Sequence, residues 1–284
     1  MRGTSPQGRP AMESCARRSR PVAARISPAA VSPAIVPFPD ATATGVHRSV
    51  STGTDAMAKA HFTPGTFSFL RDLKKNNDRD WFGANRGRYR EHVQEPAVRF
   101  VSDFAPQLEK ISGRFRADPR PVGGSIFRIH RDTRFSKDKS PYKTHLGIQF
   151  RHESAKSAHT PGFYLHIEPD MVFVGIGIWH PEAPLAKKIR EHMIEKPDGW
   201  KKATGGKRFR DRLEMGGDSL KRPPRGIDPD HPLIEDLKRK DFIASATLPQ
   251  AIVLEPGFIR EFSTICSAGS PLVKYICEAL ALPY

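Results

Sequence analysis

Two runs of strand period, Gly162–Glu168 and Met171–Trp179, are separated only by Pro169-Asp170, a pair that turns the chain. This juxtaposition predicts an antiparallel hairpin at the centre of the chain. Side chains alternate across a strand, so Tyr164, His166 and Glu168 share one face and Phe163, Leu165 and Ile167 the other. In the second strand Gly175 and Gly177 alternate with Ile176 and Ile178. Positions without side chains on one face mark close approach, by a packed helix or by a ligand.

The flanks have a different period. Thr63-Pro64 reads as an N-cap followed by proline at the first helical position, and Phe67, Leu70 and Leu73 follow until Asn76-Asn77. Asp80 is expected to cap a second helix carrying Trp81, Phe82, Tyr89 and Val93. Pro96 opens a third, with Phe100, Phe104, Leu108 and Ile111 at helical steps. Pro106 is expected to kink or split that helix. Ser125–Ile129 alternates weakly and Thr144–Arg151 reads as a strand. After Pro184 helix returns with Leu185, Ile189 and Met193. Residues 197–230 read as loop-rich, and helices are expected near His231–Lys240, Phe258–Ser267 and Pro271–Leu282. The pattern is α+β: a helical N-terminal third, a central antiparallel β meander and a helical C-terminal part.

Composition separates a leader from the rest. Residues 1–60 carry eight Lys+Arg against three Asp+Glu, with Phe38 the only aromatic, and offer too little apolar surface to offset chain entropy. Three readings fit: an upstream extension with the natural start at Met57, a disordered tail, or an Arg- and Ser-rich transit peptide. Residues 61–284 are then expected to form one domain. Of the chain's net charge of +15, five units belong to the leader and ten to this domain. No apolar run approaches the ~20 residues of a membrane span. Three cysteines do not make a disulfide framework, and Cys266 and Cys277 read as buried structural thiols.

The densest chemistry lies between Arg128 and His145, where 18 residues hold six Lys/Arg and two His against two Asp. Arg128, Arg131, Arg134, Lys139 and Lys143, with the hydroxyl of Tyr142, are candidate anion-binding groups. Guanidinium forks and ammonium charges fit carboxylate or phosphate, and hydroxyls and loop amides complete an anion cradle. The plainer reading is a solvated turn whose charges pair internally, Arg131 or Arg134 with Asp132. Phe135 and Tyr142 are expected to anchor the loop and Pro141 to stiffen it.

His166, Glu168 and His145 are the candidate catalytic groups, with an imidazole base working near neutral pH. His130-x-Asp132, His145 and His166-x-Glu168 are also metal-ligand types, but their spacings match no standard zinc signature, and no metal is assigned. Gly206-Lys207 lacks the upstream glycine and the following Ser/Thr of a phosphate-binding loop. Gly175-x-Gly177 lacks the context of a dinucleotide fold. The polar cluster of Asn76, Asn77, Arg79, Asp80, Trp81 and Asn85 reads first as helix capping. Alternatively, Trp81, Asn85 and Arg88 line one pocket with the basic loop. Arg225–Pro232 reads as a rigid turn, or as a segment swinging Asp228 or His231 over a site.

The strings RDTRFSKDKSPYKTHLG (131–147), NNDRDWF (76–82), YLHIEP (164–169), GIGIW (175–179) and PRGIDPDHP (224–232) together resemble the DUF2461 family. The likeness runs from about Phe62 to near the C-terminus. It implies a single α+β domain, generally cytoplasmic, with no assigned reaction, and leaves any cofactor unknown. Three functions remain open: binding or turnover of an anionic small molecule, nucleic-acid binding through a basic stripe interleaved with Phe135 and Tyr142, or a structural and interaction role.

Overall fold

The computed structural model describes residues 59–154 and 159–284. The leader, with Cys15 and the proposed start at Met57, lies outside the described residues apart from its last two positions. The N-terminal helices are α1 (Pro64–Lys75), α2 (Arg79–Ala84), α3 (Arg86–Tyr89) and α4 (Glu95–Ile111), with a π-helical turn, Arg90–Gln94, leading into α4. Strands β1 (Phe115–Arg116), β2 (Leu146–His152), β3 (Gly162–Glu168) and β4 (Met171–Ile178) follow. Then come α5 (Ala183–Glu195), α6 (Pro197–Gly205), α7 (Lys207–Arg210), β5 (Glu214–Gly216), α8 (Ile234–Leu237), β6 (Phe242–Leu248), α9 (Gln250–Val253) and α10 (Phe258–Ala279).

The fold is α+β. Six antiparallel strands form one sheet in the order β1-β2-β3-β4-β6-β5. The β3–β4 hairpin turns at Pro169-Asp170, with Asp170 at φ +67°. Phe163, Leu165 and Ile167 are wholly buried, as the alternation requires. Helix α10 packs on β4 and on α4. Between them lies an aromatic core in which Phe262 reaches Phe104 (ring centroids 4.8 Å), Phe100 (5.5 Å) and Phe150 of β2 (5.8 Å).

Several expectations need correction. Asp78, not Asp80, caps α2, its side chain accepting from the Trp81 amide at 2.8 Å. Helix α4 continues through Pro106, because Pro106 and Ser102 are both exposed and water can take the Ser102 carbonyl that proline leaves unpaired. Phe258–Ala279 is one helix through Pro271, not two. Here the Ser270 hydroxyl donates to the Ser267 carbonyl at 3.0 Å, replacing the missing amide. Residues 197–230 contain α6, α7 and β5 rather than loop alone, and the helix expected at His231–Lys240 is the single turn α8. Ser125–Ile129 contributes only an isolated bridge, Ile126 to Ile148.

Strand β6 has no counterpart in the sequence reading, yet it pairs with β4 along seven residues. Its approach explains Gly177. That residue sits at φ +119°, and a Cβ there would lie 2.2 Å from the Phe242 carbonyl oxygen. Asp241, just before β6, is 1% exposed. It accepts from the His180 amide (2.7 Å), the His180 Nδ1 (2.6 Å) and the Asp218 amide (2.8 Å). It thereby ties the end of β4 and the start of β6 to the chain just after β5.

Candidate functional site

The face of β3 opposite the aromatic core carries Tyr164, His166 and Glu168. Strand β2 supplies its neighbours: Gly147 pairs with His166 and Gln149 with Tyr164, and the same register carried two residues further sets His145 across from Glu168. Gly147 is required there. A Cβ at that position would lie 2.8 Å from the Tyr164 hydroxyl and 2.9 Å from Phe127. With that space left open, the Tyr164 hydroxyl reaches His166 Nδ1 at 3.1 Å, and His166 Nε2 lies 3.3 Å from Glu168 Oε2. The other carboxylate oxygen, Oε1, accepts from the Thr144 hydroxyl at 3.0 Å and lies 3.6 Å from Lys74 Nζ. The His166 ring is stacked on Phe173 (4.7 Å) and lies 4.4 Å from the His145 ring. A ligand atom from each of His145, His166 and Glu168 lies within 4.8 Å of the others.

Burial governs these groups. It depresses His145 to about 4, helped by the adjacent His166 ring and opposed by Glu168. It lowers His166 too, more than its hydrogen bond to Glu168 raises it. The Tyr164 hydroxyl is pushed upward by burial and by the Glu168 charge. Burial thus favours the uncharged form of both imidazoles. Beside them opens a cavity of about 430 Å³ that His145, Tyr164 and His166 line together with Phe127, Phe173 and Trp179. Gly175 and Gly177 both border this cavity, and Gly177 alone is also pressed by the neighbouring strand β6.

The basic loop lies elsewhere. It is closed by Arg131 N–H to the Pro141 carbonyl (2.9 Å) and Lys143 N–H to the Ile129 carbonyl (2.8 Å). Its charges are largely paired within it. Arg131 bonds Asp138, Arg134 bonds Asp132 at 2.7 Å, and Lys139 donates to the Thr133 carbonyl at 2.9 Å. Asp132 accordingly falls to about 2, chiefly through its bond from Arg134. Lys143 is half-buried over the Phe127 ring, and its pKa is lowered by burial and by Arg128. Tyr142 anchors the loop as expected, stacked on Phe82 at 4.1 Å. Phe135 does not: it is 96% exposed, with no core partner within reach of a loop tip, and only the Arg134 guanidinium lies over its ring.

Tyr142 and Arg128 instead face a second, open basin of about 860 Å³, which Arg79, Arg86, Arg90 and His130 also line. Its floor is the Phe82–Tyr142 stack. Asn77 fixes that floor, donating from Nδ2 to the Tyr142 carbonyl and accepting the Tyr142 amide at Oδ1, both at 3.0 Å. Thr66 steadies the π-helical turn, its hydroxyl donating to the His92 carbonyl at 2.7 Å. That turn carries Arg90. Among the described residues no carboxylate lines the basin. Arg90 bonds Glu95 at 3.1 Å, whereas Arg79, Arg86 and Arg128 make no ion pair with a described residue.

The polar cluster at 76–88 thus reaches the basic loop, but through Asn77, Arg79 and Arg86. Trp81 packs on Phe69, and Arg88 donates to both the Asn85 side-chain oxygen and Asp72. Arg131, Tyr142, His145 and His166 do not share one cavity: Tyr142 lines the basin, the two histidines line the sheet-face cavity, and Arg131 lines neither. His130 belongs to the basin rim and Asp132 to the loop, apart from the His145–His166–Glu168 group. In 224–232 the His231 Nδ1 accepts the Leu233 amide and Asp228 the Asp230 amide, which makes a rigid turn. Cys266 and Cys277 are buried, and burial raises both thiols, Cys277 to about 12.

Residues 65–275 match the family described as "Conserved hypothetical protein (DUF2461)". The chain belongs to the DUF2461 family. Comparison with curated proteins and with solved structures gives no match. In this DUF2461 chain no helix among the described residues is long and apolar enough to cross a membrane.

Proposed function

We propose that this DUF2461 protein binds an anionic small molecule, a phosphate- or carboxylate-bearing compound, in the basin between the N-terminal helices and the 128–143 segment. One observation carries the reading: Arg79, Arg86, Arg90 and Arg128 converge on an open basin with no carboxylate in its lining. Like charges held together repel one another, and an anion seated among them relieves that repulsion while gaining forked hydrogen bonds. Of the six clamp residues expected from sequence, Arg128 and Tyr142 serve here. Arg131, Arg134 and Lys139 hold the loop, and Lys143 packs beneath it.

Inorganic phosphate, pyrophosphate and AMP are the probes, in a thermal melt at low salt. At a hundredfold excess over Kd a ligand stabilises by about 2.7 kcal/mol, roughly 5–10 °C for a domain of this size. At least one probe should raise the wild-type melting temperature, and the paired substitution Arg86→Ala with Arg128→Ala should remove most of that rise. If no probe shifts the wild type, or the double variant responds as the wild type does, the basin is not an anion site.

A second reading has its own observation. Phe135, 96% exposed beside Arg134, is a stacking platform of the kind single-stranded nucleic acid uses. Filter binding of a single-stranded oligonucleotide at low and moderate salt separates the two. Binding that falls steeply with salt and is lost in Phe135→Ala supports nucleic acid, whereas dependence on Arg86 and Arg128 alone supports the small anion.

A further inference from the structure

We propose that His145, His166 and Glu168 form a site for one divalent transition-metal ion of the zinc or ferrous type, with open coordination positions facing the sheet-face cavity. The strand register makes the arrangement. His166 and Glu168 are two apart on β3, and the β2–β3 pairing brings His145 beside them, so three ligand groups project from one rigid face. Their ligand atoms already lie within 4.8 Å of one another, a trio that bonds of about 2.0–2.2 Å can span after small ring rotations.

The surrounding contacts suit such a site. A metal-bound imidazole gives its second ring nitrogen to an outer hydrogen-bond partner. His166 has one nitrogen toward Glu168 and the other against the Tyr164 hydroxyl at 3.1 Å. Glu168 is divided in the same way. Its Oε1 is held by Thr144 and faced by the Lys74 ammonium, and its Oε2 points to His166. The Lys74 charge lies on the far oxygen and its side chain is 61% exposed, so it can swing into solvent as an ion enters.

Two imidazoles and one carboxylate leave positions unfilled, which is the pattern of reactive rather than structural metal sites. His145 and His166 both line the cavity, with Phe127, Phe173 and Trp179, so a ligand seated there reaches the ion from their side. A small molecule with an aromatic or apolar body and one metal-binding oxygen or nitrogen fits that chemistry. This site is separate from the arginine basin and stands or falls without it.

The full-length protein, stripped with chelator, is titrated with Co²⁺ at pH 7.5 and read by visible absorption, then challenged with Zn²⁺. One equivalent should bind with ligand-field bands that Zn²⁺ bleaches. Glu168→Gln and His145→Gln should each abolish the bands while circular dichroism stays that of the wild type. Tyr164→Phe, which keeps the ligands, should weaken binding about 10-fold or more, and it remains diagnostic if a ligand variant fails to fold. No saturable binding to the wild type would overturn the proposal. So would wild-type affinity in a folded His145→Gln protein, which would place the ion elsewhere.

Discussion

Phe262→Ala is expected to lower the unfolding free energy by about 3–5 kcal/mol, the range for truncating a buried phenylalanine. The Phe262 ring is wholly buried and touches rings from two other elements, Phe100 and Phe104 on α4 and Phe150 on β2. None of these neighbours is free to collapse into the void. Phe104 is already packed on Phe150 at 4.8 Å, and α10 is held along its length by β4 and α6. Native domains are stable by only about 5–15 kcal/mol, so one side chain accounts for a large fraction of the total. Urea denaturation should show a lower midpoint at unchanged slope. A loss under about 1 kcal/mol would mean that this ring cluster is not the centre of the core.

Asp241→Ala is expected to cost about 3 kcal/mol, from the loss of three hydrogen bonds to a buried charged group. Asp241 receives two backbone amides and the His180 ring, and Ala can replace none of them. Asp241→Asn keeps one acceptor oxygen and should lose less. The two variants also predict a pH effect. Burial alone would raise this carboxyl, but the bonds from Asp218 and His180 outweigh it and hold its pKa below the ordinary aspartate range. A depressed native pKa contributes stability that is complete above the unfolded-state value and is lost as pH falls through the native one. The gap between wild type and Asp241→Asn should therefore narrow on acidification below about pH 4, as followed by denaturant midpoints. A gap that stays constant from neutral to acid pH would contradict the charged role.

What the sequence made legible is the part with strong local signals. The β3–β4 hairpin and its two faces follow from alternation, and α1 from Thr63-Pro64. Strand β6 was hidden because its buried positions are Phe242, Ala244 and Ala246, and two alanines give almost no periodic contrast. The helices of 197–210 were hidden for a similar reason, resting on Trp200, Ala203 and Phe209. Pro106 and Pro271 were overread, since exposure rescues one and the Ser270 hydroxyl the other.

The site divides in the same way. Residue type alone marks His145, His166 and Glu168 as candidates, and only the register of two strands separated in sequence brings them together. The arginine basin was half visible. Arg128 and Tyr142 came from the basic stretch, while Arg79, Arg86 and Arg90 lie some forty residues upstream. Their spacing of seven and then four, one face of a helical run, was the available signal. For the loop arginines the sequence leaves clamp and internal pairing both open; the geometry pairs Arg134 with Asp132 and Arg131 with Asp138.

The central claim is that this DUF2461 fold carries two separate sites, an anion basin lined by arginine and a sheet-face histidine–carboxylate site. A crossed titration tests it most directly, with phosphate-type anions and Co²⁺ each added to wild type, to the Arg86→Ala/Arg128→Ala double variant and to His145→Gln. The account predicts that the double variant loses only the anion response and His145→Gln only the metal response. Loss of both responses in either variant, or of neither, would contradict it.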